Sequence, residues 1–228
     1  MKKILLLLTV LVCVSSHKLI GQDNRLRLQT EFFVEYVNLF KSSSEYEDDY
    51  KGTPYGNPDF QLGNIYTNGK TFAKNIAVRY NAVADEIEIK PKVDDDDSKT
   101  KALMKTSGVS VEINDKIYTF VDGKGYLEVL FSGNEYTLFK KLGKKYIPPK
   151  PAKNSFERDF PAEFKDIISY FLFKKGSNSL IELPSSKKKR LKAFGADENV
   201  VKNIMKEKKL NLSKEEDLIT TVKLLDTK

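Results

Sequence analysis

Seven short segments with strand-like patterns between residues 64 and 142 constrain the fold of this chain more than any other feature. They are NIYT, NIAVRYN, DEIEIK, VSVEI, IYTFV, YLEVLFS and YTLFKKL, and turn-forming sequences such as NDK, DGKG and SGNE lie between them. In VSVEI the apolar Val109, Val111 and Ile113 alternate with polar residues, so one face of that strand enters a core. Strands joined by such short turns usually pair with their sequence neighbours, and the pattern predicts an antiparallel β-meander.

Some of these segments are apolar on both faces, and YLEVLFS is the clearest case. Apolar side chains on the outer face of a sheet need a covering element or a sheet that bends over itself. We therefore expect an α+β protein in which the meander forms a barrel-like or strongly curved sheet, followed by a small helical region.

The stretch GTPYGNPDFQLGNIYTNG, residues 52–69, contains four glycines and two prolines. Its glycine spacing matches neither G-x-G-x-x-G nor the P-loop, and no helix pattern follows, which argues against a phosphate-binding loop. Asn68-Gly69 lies between two strand segments, and this pair favours the positive φ angles of a tight hairpin turn. Pro54 and Pro58 predict a loop ahead of the first strand.

The composition changes after Lys144, where four prolines in residues 146–161 predict an extended connection. DIISYFLF and SLIELP then predict one more hairpin, although the first segment could also be the end of a helix. SSKKKRLKAFG predicts a short helix that Gly195 caps. DENVVKNIMKEKK predicts a second helix, with one apolar face formed by Val200, Val201, Ile204 and Met205.

The last helix has the clearest pattern. Ser213 and Glu216 form a predicted capping box. Its apolar face consists of Leu218, Ile219, Val222 and Leu225, and a helix this short is stable only when such a face is packed.

The first 22 residues have the plan of a secretory signal peptide, with Lys2 and Lys3 ahead of the apolar run Ile4 to Val14. Eleven helical residues span about 16 Å, less than the roughly 30 Å hydrocarbon layer of a membrane. We expect cleavage after Ser16 or near Gln22 and export to the periplasm or the cell exterior. The segment TEFFVEYVNLFK beyond it predicts an N-terminal helix.

The expected organisation follows from these boundaries. Residues 1–22 are the signal peptide, and residues 23–145 contain the N-terminal segment and the β-meander. Residues 146–161 are the proline-rich connection, and residues 162–228 contain the β-hairpin and the C-terminal helices.

Cleavage near Gln22 removes Cys13 and His17, the only cysteine and the only histidine of the chain. Histidine- or cysteine-based catalysis and zinc binding are then excluded, and no cofactor is predicted. Disulfides are excluded too, so a hydrophobic core must stabilise the exported chain. The remaining 206 residues contain 36 Lys and Arg against 32 Asp and Glu, a mildly basic balance.

The motifs GTPYGNPDFQLGNIY, VRYNAVADEIEIK and LPSSKKKRLKAFG occur in this order around the meander, behind a signal peptide. In this the chain resembles secreted, envelope-associated proteins of unknown function from Gram-negative bacteria. The resemblance covers most of the mature chain and implies export, but it implies no activity and no catalytic or binding residue.

Two groups of acidic residues are candidates for chemistry. Asp94–Asp97 could bind calcium, but an EF-hand loop would need glycine in place of Lys99 and an oxygen ligand in place of Lys105. We interpret the run as a solvated loop. Glu86 and Glu88 share a strand face and could form a carboxylate pair for sugar cleavage. We prefer to interpret them as the solvated face of a strand whose isoleucines point inward.

Two basic features are also candidates. Arg79 could bind a ligand carboxylate, but we expect it to pair with Glu86 or Glu88 across the sheet. KKKR at residues 187–190 lies at a helix start, where positive charge opposes the helix dipole and an anion could offset it. Anionic lipid headgroups or lipopolysaccharide phosphates would suit an exported protein, although a solvated lysine-rich helix face is the simpler interpretation. Nucleic acid is not expected, because aromatic residues do not interleave with the basic run.

These observations predict a non-enzymatic binding or structural protein of the bacterial envelope. No catalytic, cofactor-binding or metal-binding residue is predicted, and the candidate partners are an envelope protein or anionic lipid headgroups. The alternative is a hydrolase that cleaves envelope or extracellular polymers with carboxylates alone. That alternative requires Asp or Glu side chains that converge in a concave pocket.

Overall fold

The computed structural model describes residues 50–228 except 155 and 157, and all of the described residues belong to one compact unit. The predicted signal peptide and the predicted N-terminal helix lie outside the described residues. The described part is mostly β-structure with three α-helices. The strands are β1 (Tyr50–Lys51), β2 (Gln61–Thr67), β3 (Lys70–Asn81), β4 (Glu86–Lys90), β5 (Lys101–Ala102), β6 (Val109–Ile113), β7 (Lys116–Val121), β8 (Gly125–Ser132), β9 (Tyr136–Ile147), β10 (Ala162–Lys174) and β11 (Ser179–Leu183). The α-helices are α1 (Lys187–Lys192), α2 (Glu198–Lys208) and α3 (Glu215–Leu225).

All eleven strands belong to one mixed sheet. The strand order is β5-β4-β3-β2-β6-β7-β8-β9-β10, and both β1 and β11 pair with the outer edge of β10. Only β1 runs parallel to its partner. The prediction of a simple meander is wrong at one point, because β6 pairs with β2 instead of β5. The sheet therefore consists of two meanders joined side by side.

Local patterns predicted the turns and strand faces well. Asn68 and Gly69 have φ angles of 50° and 73° and close the β2–β3 hairpin, as the Asn-Gly pair predicts. Val109, Val111 and Ile113 of β6 are buried and alternate with half-buried polar residues. DIISYFLF is part of β10, and its hairpin with β11 is confirmed.

The sheet is open, since no pairing among the described strands joins β5 to β10, and a barrel is not confirmed. The end of β3 nevertheless reaches β9. The amide of Lys144 donates to the carbonyl of Ala82 over 3.2 Å, although four strands lie between β3 and β9 in the sheet order.

The three helices cover one face of the β8–β11 end of the sheet, which we call the helix-covered face. Its core contains Tyr136, Leu138, Leu172 and Leu183 from the strands and Phe194, Val201, Ile204, Leu212, Leu218, Val222 and Leu225 from the helical region. Leu127, Phe139 and Phe171 form a smaller cluster on the opposite face, because side chains alternate along a strand. The predicted apolar faces of α2 and α3 are therefore buried, except that Met205 and Ile219 are half-buried and Val200 is exposed.

The start of α3 differs from the prediction. The helix begins at Glu215, and its N-cap Lys214 makes no side-chain capping bond, so the Ser213–Glu216 capping box is wrong. The carboxylate of Asp217 instead accepts from the amide of Asn211 over 2.8 Å, which ties the preceding loop to the helix. Gly195 has φ of 60° and begins the 3-10 helix Gly195–Asp197, whereas the C-cap of α1 is Ala193, so the prediction that Gly195 caps α1 is wrong.

The proline-rich connection joins two strands of the same sheet. Lys150 and Phe160 form an isolated antiparallel bridge across it. β9 and β10, which lie on either side of the connection, pair along their length. The register runs from the pair of Ile147 and Glu163 to the pair of Tyr136 and Lys174. The hairpin after the connection therefore continues the sheet that the preceding strands form.

Candidate functional site

Four polar or aromatic side chains form a line across the helix-covered face, which we call the polar row. Tyr118 of β7, Glu128 of β8, Lys140 of β9 and Tyr170 of β10 are consecutive register partners. Cross-strand partners in a sheet have Cβ atoms about 5 Å apart, so their side chains can interact. The row lies where the helical region meets the strands.

Helices α1 and α3 contribute the partners of this row. Glu215 at the start of α3 lies 2.8 Å from the Lys140 ammonium and accepts a hydrogen bond of 2.8 Å from the Tyr170 hydroxyl. The Arg190 guanidinium of α1 lies 5.1 Å from the centre of the Tyr170 ring. The row therefore connects both helices to the sheet by polar contacts beside the apolar core.

The protonation of this site is set by these contacts. Burial and the hydrogen bond to Glu215 raise the pKa of Tyr170 to about 12, so its hydroxyl remains a donor. Burial alone would raise the pKa of Glu215, but the hydrogen bonds from Lys140 and Tyr170 outweigh it and lower that pKa. Glu128 lies 3.3 Å from the Lys116 ammonium. Both carboxylates of the site thus have a cation beside them.

Arg79 pairs with Glu88, as the sequence predicts. Its Nη2 lies 2.7 Å from the Glu88 carboxylate, and its Nη1 donates to the Pro58 carbonyl over 3.0 Å. The guanidinium also lies 3.6 Å from the centre of the Tyr55 ring and 4.2 Å from that of Phe60. We call Tyr55, Phe60, Arg79 and Glu88 the Arg79 stack.

The loop before β2 has a structural task. Gly56 donates to the Tyr80 carbonyl over 2.8 Å and Ala82 donates to the Pro54 carbonyl over 2.9 Å. β2 starts after this loop and does not reach the end of β3. The loop therefore takes the place of β2 there and binds the end of β3. This geometry agrees with the interpretation of residues 52–69 as a structural turn region.

The interpretation of Glu86 and Glu88 as a solvated strand face is wrong. Glu86 is buried and Glu88 is half-buried, while Ile87 and Ile89 are buried on the other face. Residues from the loop before β2, such as Phe60, cover the side that was expected to face water. Burial raises the pKa of Glu86, and Lys105 at 3.5 Å acts against this rise.

The Asp94–Asp97 run is neutralised by its own surroundings. Lys99 contacts Asp95 at 2.8 Å and Lys90 contacts Asp97 at 2.9 Å, while Asp96 caps the short 3-10 helix Asp97–Lys99. No group of three His, Cys, Asp or Glu side chains that could hold a metal ion occurs in the described part of the chain.

The KKKR run divides into two parts. Lys187, Lys188 and Lys189 are exposed, as the interpretation of a solvated helix face predicts, but Arg190 is only 6% exposed. Its Nε donates to the Pro184 carbonyl over 2.7 Å and its Nη1 donates to the Leu212 carbonyl over 2.6 Å. Arg190 therefore ties the segment before α1 to the loop between α2 and α3.

Three tyrosines line the inner side of the sheet near the end of β3. Tyr80 and Tyr118 have ring centres 5.2 Å apart, and the Tyr80 hydroxyl lies 2.9 Å from Asp85. Tyr126 is 1% exposed, and its hydroxyl has no hydrogen-bond partner among the described residues. Burial raises the pKa values of all three phenols, which keeps them neutral. The three buried rings therefore form a part of the core whose edge carries polar hydroxyl groups.

Sequence reasoning missed the polar row and Arg190. A signal was present, because Glu128 is the one charged residue in YLEVLFS and Arg190 is the one arginine in a run of lysines. A single charge inside an apolar strand indicates a buried partner. The identity of that partner could not be deduced, because Lys116, Lys140 and Glu215 come from three other elements.

Comparison of the chain with protein-family models, with curated proteins and with solved structures found no match. None of the helices in the described part of the chain is long and apolar enough to cross a membrane.

Proposed function

We propose that this protein is an exported, non-enzymatic binding protein of the bacterial envelope. The supporting observation is that each candidate carboxylate contacts a cation. The pairs are Glu215 with Lys140, Glu128 with Lys116, Glu88 with Arg79 and Glu86 with Lys105. Catalysis by carboxylates alone needs one neutral acid and a second carboxylate that can act as base or nucleophile. Paired carboxylates suit structure better than that chemistry.

The alternative, a carboxylate-dependent hydrolase, has one observation in its favour. Burial raises the pKa of Glu86, which is how an enzyme prepares a general acid. Its neighbour Glu88, however, accepts hydrogen bonds from Arg79 and from Asn81 over 2.9 Å, so the second carboxylate is already engaged.

The sequence supports export, and contacts and exposed residues support the curved sheet and the binding role. The signal-peptide pattern of residues 1–22 supports export. The contact between Lys144 and Ala82 supports a strongly curved sheet as the body of the protein. The exposed Lys187, Lys188 and Lys189 make no ion pair among the described residues, which leaves them available to anionic headgroups or an acidic partner protein.

Two measurements test the proposal. N-terminal sequencing of the native protein from cell fractions should give a first residue between 17 and 24, and an intact Met1 would contradict export. The purified protein, incubated with peptidoglycan, lipopolysaccharide and capsular polysaccharides, should release no reducing ends above the blank. Release that disappears in Glu86→Gln or Glu128→Gln, and persists in the exposed control Glu182→Gln, would establish the hydrolase instead.

A further inference from the structure

The outer edge of β10 is paired at both ends but not in its middle. β1 pairs with Ala162 and Glu163, and β11 pairs with Tyr170 to Lys174. Residues 165–169 have β9 on one side and, among the described strands, none on the other, whereas Gly52, directly after β1, lies against the Phe164 carbonyl. We call this stretch the β10 slot.

The backbone of the slot presents hydrogen-bonding groups outward. In an antiparallel pair, partners alternate between those bonded to each other and those whose amides and carbonyls point apart. Lys144, the partner of Asp166, directs its amide to Ala82, and Leu142, the partner of Ile168, directs its carbonyl to the Tyr80 hydroxyl at 3.0 Å. The amides and carbonyls of Asp166 and Ile168 therefore point away from β9, into the slot.

The slot has one exposed isoleucine on each face, beside the charged Lys165 and Asp166. Ile167 is 52% exposed and Ile168 is 47% exposed, and they lie on opposite faces of the strand. β-branched residues favour strands, and edge strands usually protect themselves with charge, proline or a covering element. The centre of this edge has two adjacent isoleucines directly after the charged Lys165 and Asp166, and the Asp166 carboxylate lies 2.7 Å from the Lys144 ammonium.

One face of the slot is positively charged. Lys165 and Lys145 are directly opposite each other across the β9–β10 pair, both are exposed, and neither forms an ion pair among the described residues. Like charges opposite each other destabilise a sheet. Exposed Lys51 of β1 lies on the same face, since its partner Glu163 precedes Lys165 by two residues. An incoming chain with carboxylates would offset this charge.

We propose that the β10 slot binds an extended, acidic segment of a partner protein, which adds to the sheet as a short strand between β1 and β11. Its backbone pairs with Asp166 and Ile168, its apolar side chains cover Ile168 on one face, and its carboxylates face Lys51, Lys145 and Lys165 on the other. This inference rests on the binding role proposed above and assigns a surface to it.

The geometry of the slot disfavours a second copy of β10 as the occupant. Five residues span about 17 Å, so an added strand must leave the sheet at both ends. A copy of β10, which has 13 residues, would collide with β1 and β11 at the flanks. A short linear segment fits these limits.

Amide exchange and peptide titration of the purified protein, followed by NMR, test the proposal. The probes are the acetylated, amidated pentapeptides Glu-Val-Glu-Val-Glu and Lys-Val-Lys-Val-Lys. We expect the acidic probe to shift and protect the amides of Asp166 and Ile168, and to bind about tenfold or more tightly than the basic probe, since like charges at an interface oppose association. Equal affinities, or shifts elsewhere only, would overturn the proposal.

The free protein provides a second criterion. The amides of Asp166 and Ile168 should exchange rapidly, while those of Lys165 and Ile167, directed to β9, should be protected. Protection of Asp166 and Ile168 at all protein concentrations would mean that the chain itself fills the slot. Protection that grows with concentration would mean that a second copy does. Either result contradicts the proposed occupant.

Two sets of variants test the contribution of the backbone hydrogen bonds and that of the charges separately. Ile168→Pro removes a donor that points into the slot and leaves the β9 pairing intact, so it should abolish probe binding, whereas Ile168→Thr keeps the donor and should retain it. Lys145→Glu combined with Lys165→Glu should reverse the preference between the probes, and this pair decides the question if the proline variant does not fold. An unchanged preference would refute the charge assignment. Fractionation and hydrolysis assays test the general role independently of the slot.

Discussion

The two ends of the sheet are covered in different ways. At the β8–β11 end, α1–α3 place leucine, valine, isoleucine and phenylalanine side chains against the strands. At the β3–β4 end, the loop before β2 places Tyr55 and Phe60 around Arg79 and its ion pair with Glu88. One cover is a continuous apolar interface and the other is a cation held between two aromatic rings.

This difference shows how one sheet can combine a strong and a weaker cover. Apolar burial contributes about 25 cal/mol per Å² and does not depend on the ionisation of side chains. A cation on an aromatic ring contributes about 0.5–2 kcal/mol, and a half-buried ion pair adds little after desolvation. We expect the helical cover to dominate stability and the Arg79 stack mainly to position the loop before β2.

The largest expected effect is loss of the helical cover. Leu218 is fully buried between α3 and the strands, so Leu218→Ala should lower the free energy of unfolding by ~2–5 kcal/mol through lost burial and a cavity. Leu62 at the other end is 59% exposed, and Leu62→Ala should cost less than about 0.5 kcal/mol. Urea unfolding compares the two variants. Equal midpoints would mean that α3 does not dock.

Arg190 tests whether polar contacts contribute at the helical end as well. Arg190→Lys should lower the free energy of unfolding by about 2 kcal/mol, because one ammonium cannot bond both the Pro184 and the Leu212 carbonyls. Lys189→Ala in the same helix is the matched control and should leave the midpoint unchanged. An unchanged free energy of unfolding in Arg190→Lys would show that water satisfies these carbonyls.

A substitution in the Arg79 stack should lower the free energy of unfolding less than the substitution of Arg190. Arg79→Lys retains the charge but loses the planar contact with the two rings and the Pro58 carbonyl, so we expect a cost of about 1 kcal/mol. Arg158→Lys in the exposed connection is the control. Thermal unfolding measures stability, and exchange of the Gly56 amide reports whether the loop detaches from β3. A cost equal to that of Leu218→Ala would contradict the weaker cover.

Asp226 gives a pH-dependent contribution at the helical end. Its carboxylate accepts from the amides of Asn134, Glu135 and Tyr136 at 2.7–2.8 Å. Burial opposes ionisation, but these three donors lower its pKa in the folded state. A lowered pKa stabilises the fold above the unfolded value of about 3.9 and loses this effect as the pH falls through the folded value.

Asp226→Asn should therefore cost roughly 0.5–1 kcal/mol at pH 7, after allowance for solvent screening, and less at pH 3. Urea midpoints at both pH values test this, with Asp115→Asn in the β6–β7 turn as control. A difference that grows as the pH falls would have the wrong sign and would refute the assignment.

The smallest effect on stability is expected from the exposed lysines of α1. Replacing Lys187, Lys188 and Lys189 together by Glu should not lower the free energy of unfolding, because negative charge near a helix start favours the helix dipole. Each lysine near an anionic surface contributes about 1 kcal/mol, so co-sedimentation with phosphatidylglycerol vesicles should fall while that with phosphatidylcholine vesicles stays low. Equal sedimentation of both proteins would exclude these lysines from an anionic contact.

Elements with local patterns were predictable. The Asn-Gly turn, the alternation of β6 and the apolar face of α3 depend on neighbours within a few residues, and the structure confirms them. The Arg79–Glu88 pair was predictable for the same reason, since a hairpin of short turn sets its register. The Ser213–Glu216 capping box failed because the helix begins at Glu215 and its N-cap is Lys214, not Ser213.

The sequence by itself determined the strand and helix types, the exclusion of histidine and cysteine chemistry from a chain cleaved near Gln22, and the need for a packed C-terminal face. Only the tertiary structure decided that β6 pairs with β2, that Arg190 is buried while its three lysine neighbours are not, and that the middle of β10 has an unpaired edge. The physical reason is the separation along the chain of the residues that interact. Periodicity and turn chemistry act over a few residues, whereas strand order, buried charge pairing and edge coverage depend on residues far apart in the chain, and their identity is fixed only when the whole sheet assembles.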